Sequence, residues 1–154
     1  MARIKKVLFV CTGNSCRSVI AKGLLKKRLE ARPEISVRSA GVAAAPGFRA
    51  TQETIAVMAR HGIDVSLHLT QRLSDEMVDE ADLVLVMEKA HQEEILRRVP
   101  HAKKKVFLLR EYAGDVQAAP RGIDIPDPIA KPSEVYESCF EIIRGAIEKI
   151  VNKL

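Results

Sequence analysis

A chain of 154 residues with a formal net charge of +5 has the length of one domain, taken here as residues 1–154, and can bury roughly two-thirds of its unfolded surface. Its 47% hydrophobic and 29% charged residues are ordinary for a soluble globular protein, and no apolar run approaches the length of a membrane span. Three cysteines (Cys11, Cys16 and Cys139) exclude a disulfide framework, and no second cysteine/histidine pair completes a zinc site, so neither metal nor cofactor is expected.

The first apolar run, residues 7–10, ends at a turn and reads as a buried parallel strand. It is too short for the hydrophobic region of a signal peptide, so a cytoplasmic location is expected. Ile20, Leu24, Leu25 and Leu29 then recur at helical spacing, which predicts a helix from about Arg17 or Ser18 that stops before Pro33. Residues 35–40 read as a second strand, 41–47 as a loop of small residues, and 51–61 as a helix ended by Gly62. Residues 82–87 form the clearest later strand, followed by a helix over 88–99 stopped by Pro100 and a strand over 106–109. Residues 112–132 carry three glycines or prolines before Ile125 and three prolines after it, and a loop of that length points to function. Ser133 is expected to cap a last helix whose apolar stripe is Val135, Cys139, Ile142, Ile143, Ala146, Ile147 and Ile150. Alternating strands and helices argue for an open parallel sheet covered on both faces, with ligands at the carboxyl ends of the strands. The basic runs 26–28 and 103–105 have no interleaved aromatics and read as solvated surface, so neither nucleic acid nor membrane is expected as a partner.

Cys11-Thr12-Gly13-Asn14-Ser15-Cys16-Arg17-Ser18 follows the first strand at its carboxyl end. A strand-turn-helix junction points successive N–H groups into a concave nest, and the helix dipole adds positive charge, so a phosphate can be held largely by the main chain. Gly13 relieves crowding, and Asn14 is the non-glycine residue most tolerant of left-handed backbone. Arg17 can curl back to offer a planar fork to phosphoryl oxygens. The field of the nest favours the thiolate of Cys11, which is the nucleophile of this reading, and Ser18 can donate a hydroxyl hydrogen bond to it. The leaving oxygen needs a proton; Asp127, held between Pro126 and Pro128, and Asp124 are both candidates.

This loop, together with Arg38-Ser39-Ala40-Gly41, His61-Gly62-Ile63-Asp64, Ser66-Leu67-His68, residues 82–87 and Asp127-Pro128 in order, resembles the low-molecular-weight protein tyrosine phosphatase family over nearly the whole chain. The resemblance implies a flavodoxin-like three-layer α/β sandwich with a four-stranded parallel sheet. It implies a phosphocysteine intermediate on Cys11, oxyanion stabilisation by Arg17, and Asp127 as general acid and then base. It further implies that Asn14, Ser18, Ser39 and His68 form a network fixing the loop, and that Cys16 can trap oxidised Cys11 as a disulfide. Cys139 is read as a core residue. Substrates would be phosphorylated proteins or peptides, inorganic phosphate and other oxyanions would occupy the loop, and the chain would act as a monomer or weak dimer.

Departures from the family pattern bear on the substrate. Val19 replaces the usual proline, and Lys22 a common acidic residue. Ile129 and Ala43-Ala44-Ala45 stand where tyrosine-directed members place aromatics, and Ser15 stands where they carry a bulky aliphatic residue. A small hydroxyl residue at Ser15 and the run Arg38-Ser39-Ala40-Gly41-Val42 resemble the bacterial protein-arginine phosphatases, which would use the same mechanism. Arsenate reductase is the rival from another class. It is disfavoured because residues 87–99 contain no resolving cysteine.

Overall fold

Four short apolar segments form one parallel sheet in the computed structural model, which describes residues 3–115 and 123–154. The strands are β1 (Lys6–Cys11), β2 (Ser36–Gly41), β3 (Leu83–Val86) and β4 (Val106–Leu108), in the order β2-β1-β3-β4. β1 is central, pairing Val10 with Ala40 on one side and with Val86 on the other. Its alternation explains its composition. Val7, Phe9 and Cys11 enter the layer that holds Ile20, Leu25, Phe140 and Ile143, whereas Leu8 and Val10 enter the opposite layer with Met77, Val78 and Ile95. Helices α1 (Arg17–Arg28), α2 (Gln52–Arg60) and α6 (Ser133–Ile150) supply the first layer, and α3 (Asp75–Glu80) and α4 (Lys89–Arg98) the second. The expected three-layer α/β sandwich is therefore the observed one. The chain leaves β1 toward β2 and returns across it to β3, which puts the β1–α1 loop at the switch point of the strand order.

Several local expectations are corrected. Cys11 is the last residue of β1, paired with Gly41, rather than the first residue after it. α3 was not anticipated. Leu109, expected in the fourth strand, begins the single-turn helix α5 (Leu109–Tyr112). Ser133 is the first residue of α6 and makes no cap; Pro132 occupies the capping position, and the expected hydroxyl cap is absent there. The buried stripe of α6 runs through Tyr136, Cys139, Phe140, Ile143, Ala146, Ile147 and Ile150, so Val135 and Ile142 sit at its edge, 37% and 36% exposed. At about 100° per residue each is rotated off the stripe's centre line. Of the long loop expected over 112–132, Pro120 and Gly122 lie outside the described residues. Among the described residues no helix is long and apolar enough to cross a membrane.

Candidate active site

The β1–α1 loop is tied down by its carbonyls. Cys11 O accepts from Val42 N (3.0 Å), Thr12 O from Ala43 N (2.9 Å), Asn14 O from His68 Nε2 (2.9 Å), Ser15 O from Thr51 N (3.2 Å) and Cys16 O from Ile20 N (3.0 Å). In a planar trans peptide the next N–H points opposite its carbonyl, so the amides of residues 12, 13, 15, 16 and 17 are turned the other way, toward the inside of the loop. Asn14 makes the turn possible with φ at 55°. Its buried side chain donates from Nδ2 to Ser18 Oγ (2.8 Å) and Ser39 Oγ (3.0 Å) and accepts from Gln71 N (3.0 Å). Because Ser18 Oγ already accepts from Asn14, its own proton is free for Cys11 Sγ, 2.9 Å away. Asn14, Ser18, Ser39 and His68 thus meet around one loop. Gly13 has only Ser15 Oγ near the position of a Cβ, at 3.6 Å; the glycine crowded against this loop is Gly41, where a Cβ would lie 2.5 Å from Thr12 O and 2.8 Å from Asn14 N.

Arg17 turns back under the loop and is 1% exposed. Its Nη1 donates both hydrogens to the protein, to the Glu88 carboxylate and to Ile125 O (2.7 Å). The Nε–Nη2 edge is the fork left for an anion. Nη2 lies 3.4 Å from Thr12 Oγ1 and 3.6 Å from Asp127 Oδ2. Asp127 is held by its own Asx turn, Oδ1 accepting from Ile129 N at 3.1 Å. Asp124, the competing carboxylate, instead accepts from Lys89 N (2.8 Å) at the start of α4. A cavity of about 220 Å³ collects Cys11, Thr12, Gly13, Ser15, Cys16, Arg17, Asp127 and Ile129, and among the described residues no aromatic ring lines it. A soft nucleophile, a fixed cationic fork, inward amides and a carboxylate around one small cavity can bind a tetrahedral oxyanion and move a proton beside it.

Sequence reasoning missed the outer supports. Glu88 clamps Arg17; its only sequence sign is an acidic residue just before a helix. Gln71 holds Asn14 through its backbone and Ser39 O through its side chain (2.9 Å), and nothing in the sequence marks it. His91, 3% exposed, reaches Thr12 Oγ1 at 2.9 Å. Burial and then the Arg17 charge bring its pKa down to about 4, against partial opposition from Glu88, Asp124 and Asp127. Burial also holds His68 below the ordinary histidine range, opposed by its bond to Asn14 and reinforced by Lys22. Cys16 Sγ lies 3.5 Å from the buried hydroxyl of Tyr136 and 3.6 Å from Thr51 Oγ1, and burial pushes the Tyr136 phenol upward. All three cysteines are free thiols. Burial pushes Cys139 up to about 12, as suits a core position.

Residues 6–154 match the family model described as low molecular weight phosphotyrosine protein phosphatase. The chain is 39% identical over 151 residues to a probable low molecular weight protein-tyrosine-phosphatase of Ralstonia nicotianae, covering 98% of this chain and 97% of the relative. It is 36% identical over 149 residues to a protein-arginine-phosphatase of Geobacillus stearothermophilus, covering 97% and 95% respectively. The solved low molecular weight protein tyrosine phosphatase of T. tengcongensis superposes with a TM-score of 0.89 at 37% identity, covering 97% of this chain and 99% of the other. With its β2-β1-β3-β4 sheet and its cysteine loop at the switch point, the chain belongs to the low-molecular-weight phosphotyrosine protein phosphatase family.

Proposed function

We propose that Cys11, Arg17 and Asp127 hydrolyse phosphorylated protein side chains in two steps. The Cys11 thiolate attacks phosphorus while Asp127 protonates the departing side-chain oxygen, leaving a cysteinyl phosphate. Asp127, now a carboxylate, takes a proton from water as that water attacks phosphorus; inorganic phosphate leaves and the thiolate returns. Arg17 and the inward amides of the loop carry the charge of the equatorial oxygens in both steps. Ser18 stabilises the thiolate, and Asn14, Ser39 and His68 keep the loop in its turn. Cys16 is assigned the role of trapping oxidised Cys11. The observation that carries the reading is that Cys11, Arg17 and Asp127 line the same 220 Å³ cavity. Cys11→Ser is expected to abolish p-nitrophenyl phosphate hydrolysis, and Asp127→Ala to slow it and remove one limb of its pH profile. Wild-type turnover by Cys11→Ser would overturn the mechanism.

A second reading, phosphoarginine as the substrate, is favoured by the lining itself. Among the described residues that line the cavity, Ser15 presents a small hydroxyl, Ile129 is the only large apolar side chain, and none carries a ring that could sandwich a phenol. Phosphotyrosine and phosphoarginine peptides of one sequence, compared by kcat/KM, decide between them. Arsenate reduction is not supported: residues 89–98 form α4 without a cysteine.

A further inference from the structure

The first turn of α4 is built as a reciprocal cap. The Glu88 carbonyl accepts from the His91 backbone N–H at 3.0 Å, and Glu88 N donates back to His91 Nδ1 at 3.1 Å. Both cap residues also reach the catalytic loop, Glu88 to Arg17 and His91 Nε2 to Thr12 Oγ1. The cap fixes the tautomer. Nδ1 receives a hydrogen, so in the neutral ring the proton sits on Nε2, and Nε2–H donates to Thr12. The ring's titration at about 4 keeps this form through the neutral range. Thr12 Oγ1 therefore accepts from His91 (2.9 Å) and from Arg17 Nη2 (3.4 Å). With its lone pairs used on that side, its own proton is aimed away from both donors, and Thr12 lines the cavity together with Arg17 and Asp127.

We propose that His91 is a positioning residue for the hydrolytic reaction: held by the α4 cap, it fixes Thr12 so that the Thr12 O–H is donated into the catalytic cavity on the side where Arg17 meets Asp127. That is the side from which Asp127 serves the leaving oxygen, so the Thr12 hydrogen bond stabilises the negative charge that develops there. The proposal rests on the phosphatase reading of the cavity.

The test is a double-mutant cycle on a series of aryl phosphates with leaving groups from p-nitrophenol to phenol. Thr12→Val removes the hydroxyl at constant shape, and His91→Gln keeps a cap acceptor at the third helical position while losing the fixed Nε2–H. Each single variant is expected to lower kcat for phenyl phosphate by about tenfold, the loss of one hydrogen bond to a charged group. The loss should shrink toward p-nitrophenyl phosphate, with KM little changed. Thr12→Ser should recover most of the loss, and the double variant should be no slower than the slower single one. The proposal is overturned if the two losses multiply, if Thr12→Val keeps wild-type kcat, or if the losses do not depend on the leaving group. Should His91→Gln fail to fold, the Thr12→Val and Thr12→Ser pair alone carries the last two outcomes. Turnover of aryl phosphates that survives Cys11→Ser would instead sink the phosphatase reading, and the proposal with it.

Discussion

Asn14 shows what a single residue contributes to this loop. At φ 55° it holds a turn that most side chains resist, and its buried amide spends both Nδ2 hydrogens and Oδ1 on three different segments. Its tolerance for left-handed backbone was legible in the sequence, because that is a property of the residue type. The need for Gly41 was not, since the crowding comes from a loop some 30 positions away that folds over β2. Gly41→Ala forces a Cβ to within 2.5 Å of one backbone atom and 2.8 Å of another, and neither can move without shifting the phosphate-binding turn. That variant is expected to lose at least ~100-fold in kcat and roughly 1–3 kcal/mol of stability, measured by p-nitrophenyl phosphate turnover and urea unfolding. Retained activity would show that the loop does not depend on this close approach. Cys139 gives the opposite expectation. Buried in the apolar layer and pushed up to about 12 by that burial, it is a protonated core thiol at neutral pH. Cys139→Ala should keep wild-type kcat, and mass spectrometry after brief iodoacetamide treatment of the native wild type should find Cys139 unmodified.

At the scale of elements, strong hydrophobic periodicity was readable and short or edge features were not. The strands at β1 and β3 and the helices α1, α2, α4 and α6 follow directly from apolar runs or helical spacing. α3 has only Met77 and Val78 buried among acidic neighbours, too few for a period to emerge, and its Ser74 cap is recognisable only once the helix is known. α6 was placed correctly but rotated slightly, because counting apolar residues includes Val135 and Ile142 whereas packing selects Tyr136 and Phe140. Phe140 stacks on His61 with ring centroids 3.9 Å apart and is 1% exposed, while Ile142 is 36% exposed. Phe140→Ala is therefore expected to cost about 3–5 kcal/mol and Ile142→Ala less than about 1 kcal/mol in urea unfolding. Equal costs would mean that α6 faces the sheet through the stripe first read from the sequence.

Across the whole molecule, the nucleophile loop was legible because strand, turn and helix signals are contiguous. The brace around it was legible only in part: Ser39 and His68 came through the family resemblance, whereas Glu88 and His91 at the start of α4, Gln71 and Tyr136 near the start of α6 did not, because each lies far from the loop in sequence. Only the fold brings these together at the switch point. Burying His91 in that brace ties catalytic geometry to global stability. In the folded chain its pKa is about 4, against an ordinary histidine value of 6.5. Below about pH 4 both folded and unfolded chains hold the proton, and the native state bears the full penalty of a buried imidazolium beside Arg17. Above about pH 6.5 neither holds it and the penalty is gone. Between these limits the unfolded chain binds more protons, so stability rises with pH. The span corresponds to roughly 3 kcal/mol, and His68, shifted in the same direction, adds to it. His91→Gln removes one titrating group while leaving His68 and the carboxylates in place. Urea unfolding between pH 4 and 7 should thus give a shallower slope for the variant, the wild type losing stability relative to it as the pH falls from about 6.5 toward 4. Parallel curves would show that His91 titrates in the folded protein as it does in the unfolded chain, and that burial beside Arg17 does not hold it neutral.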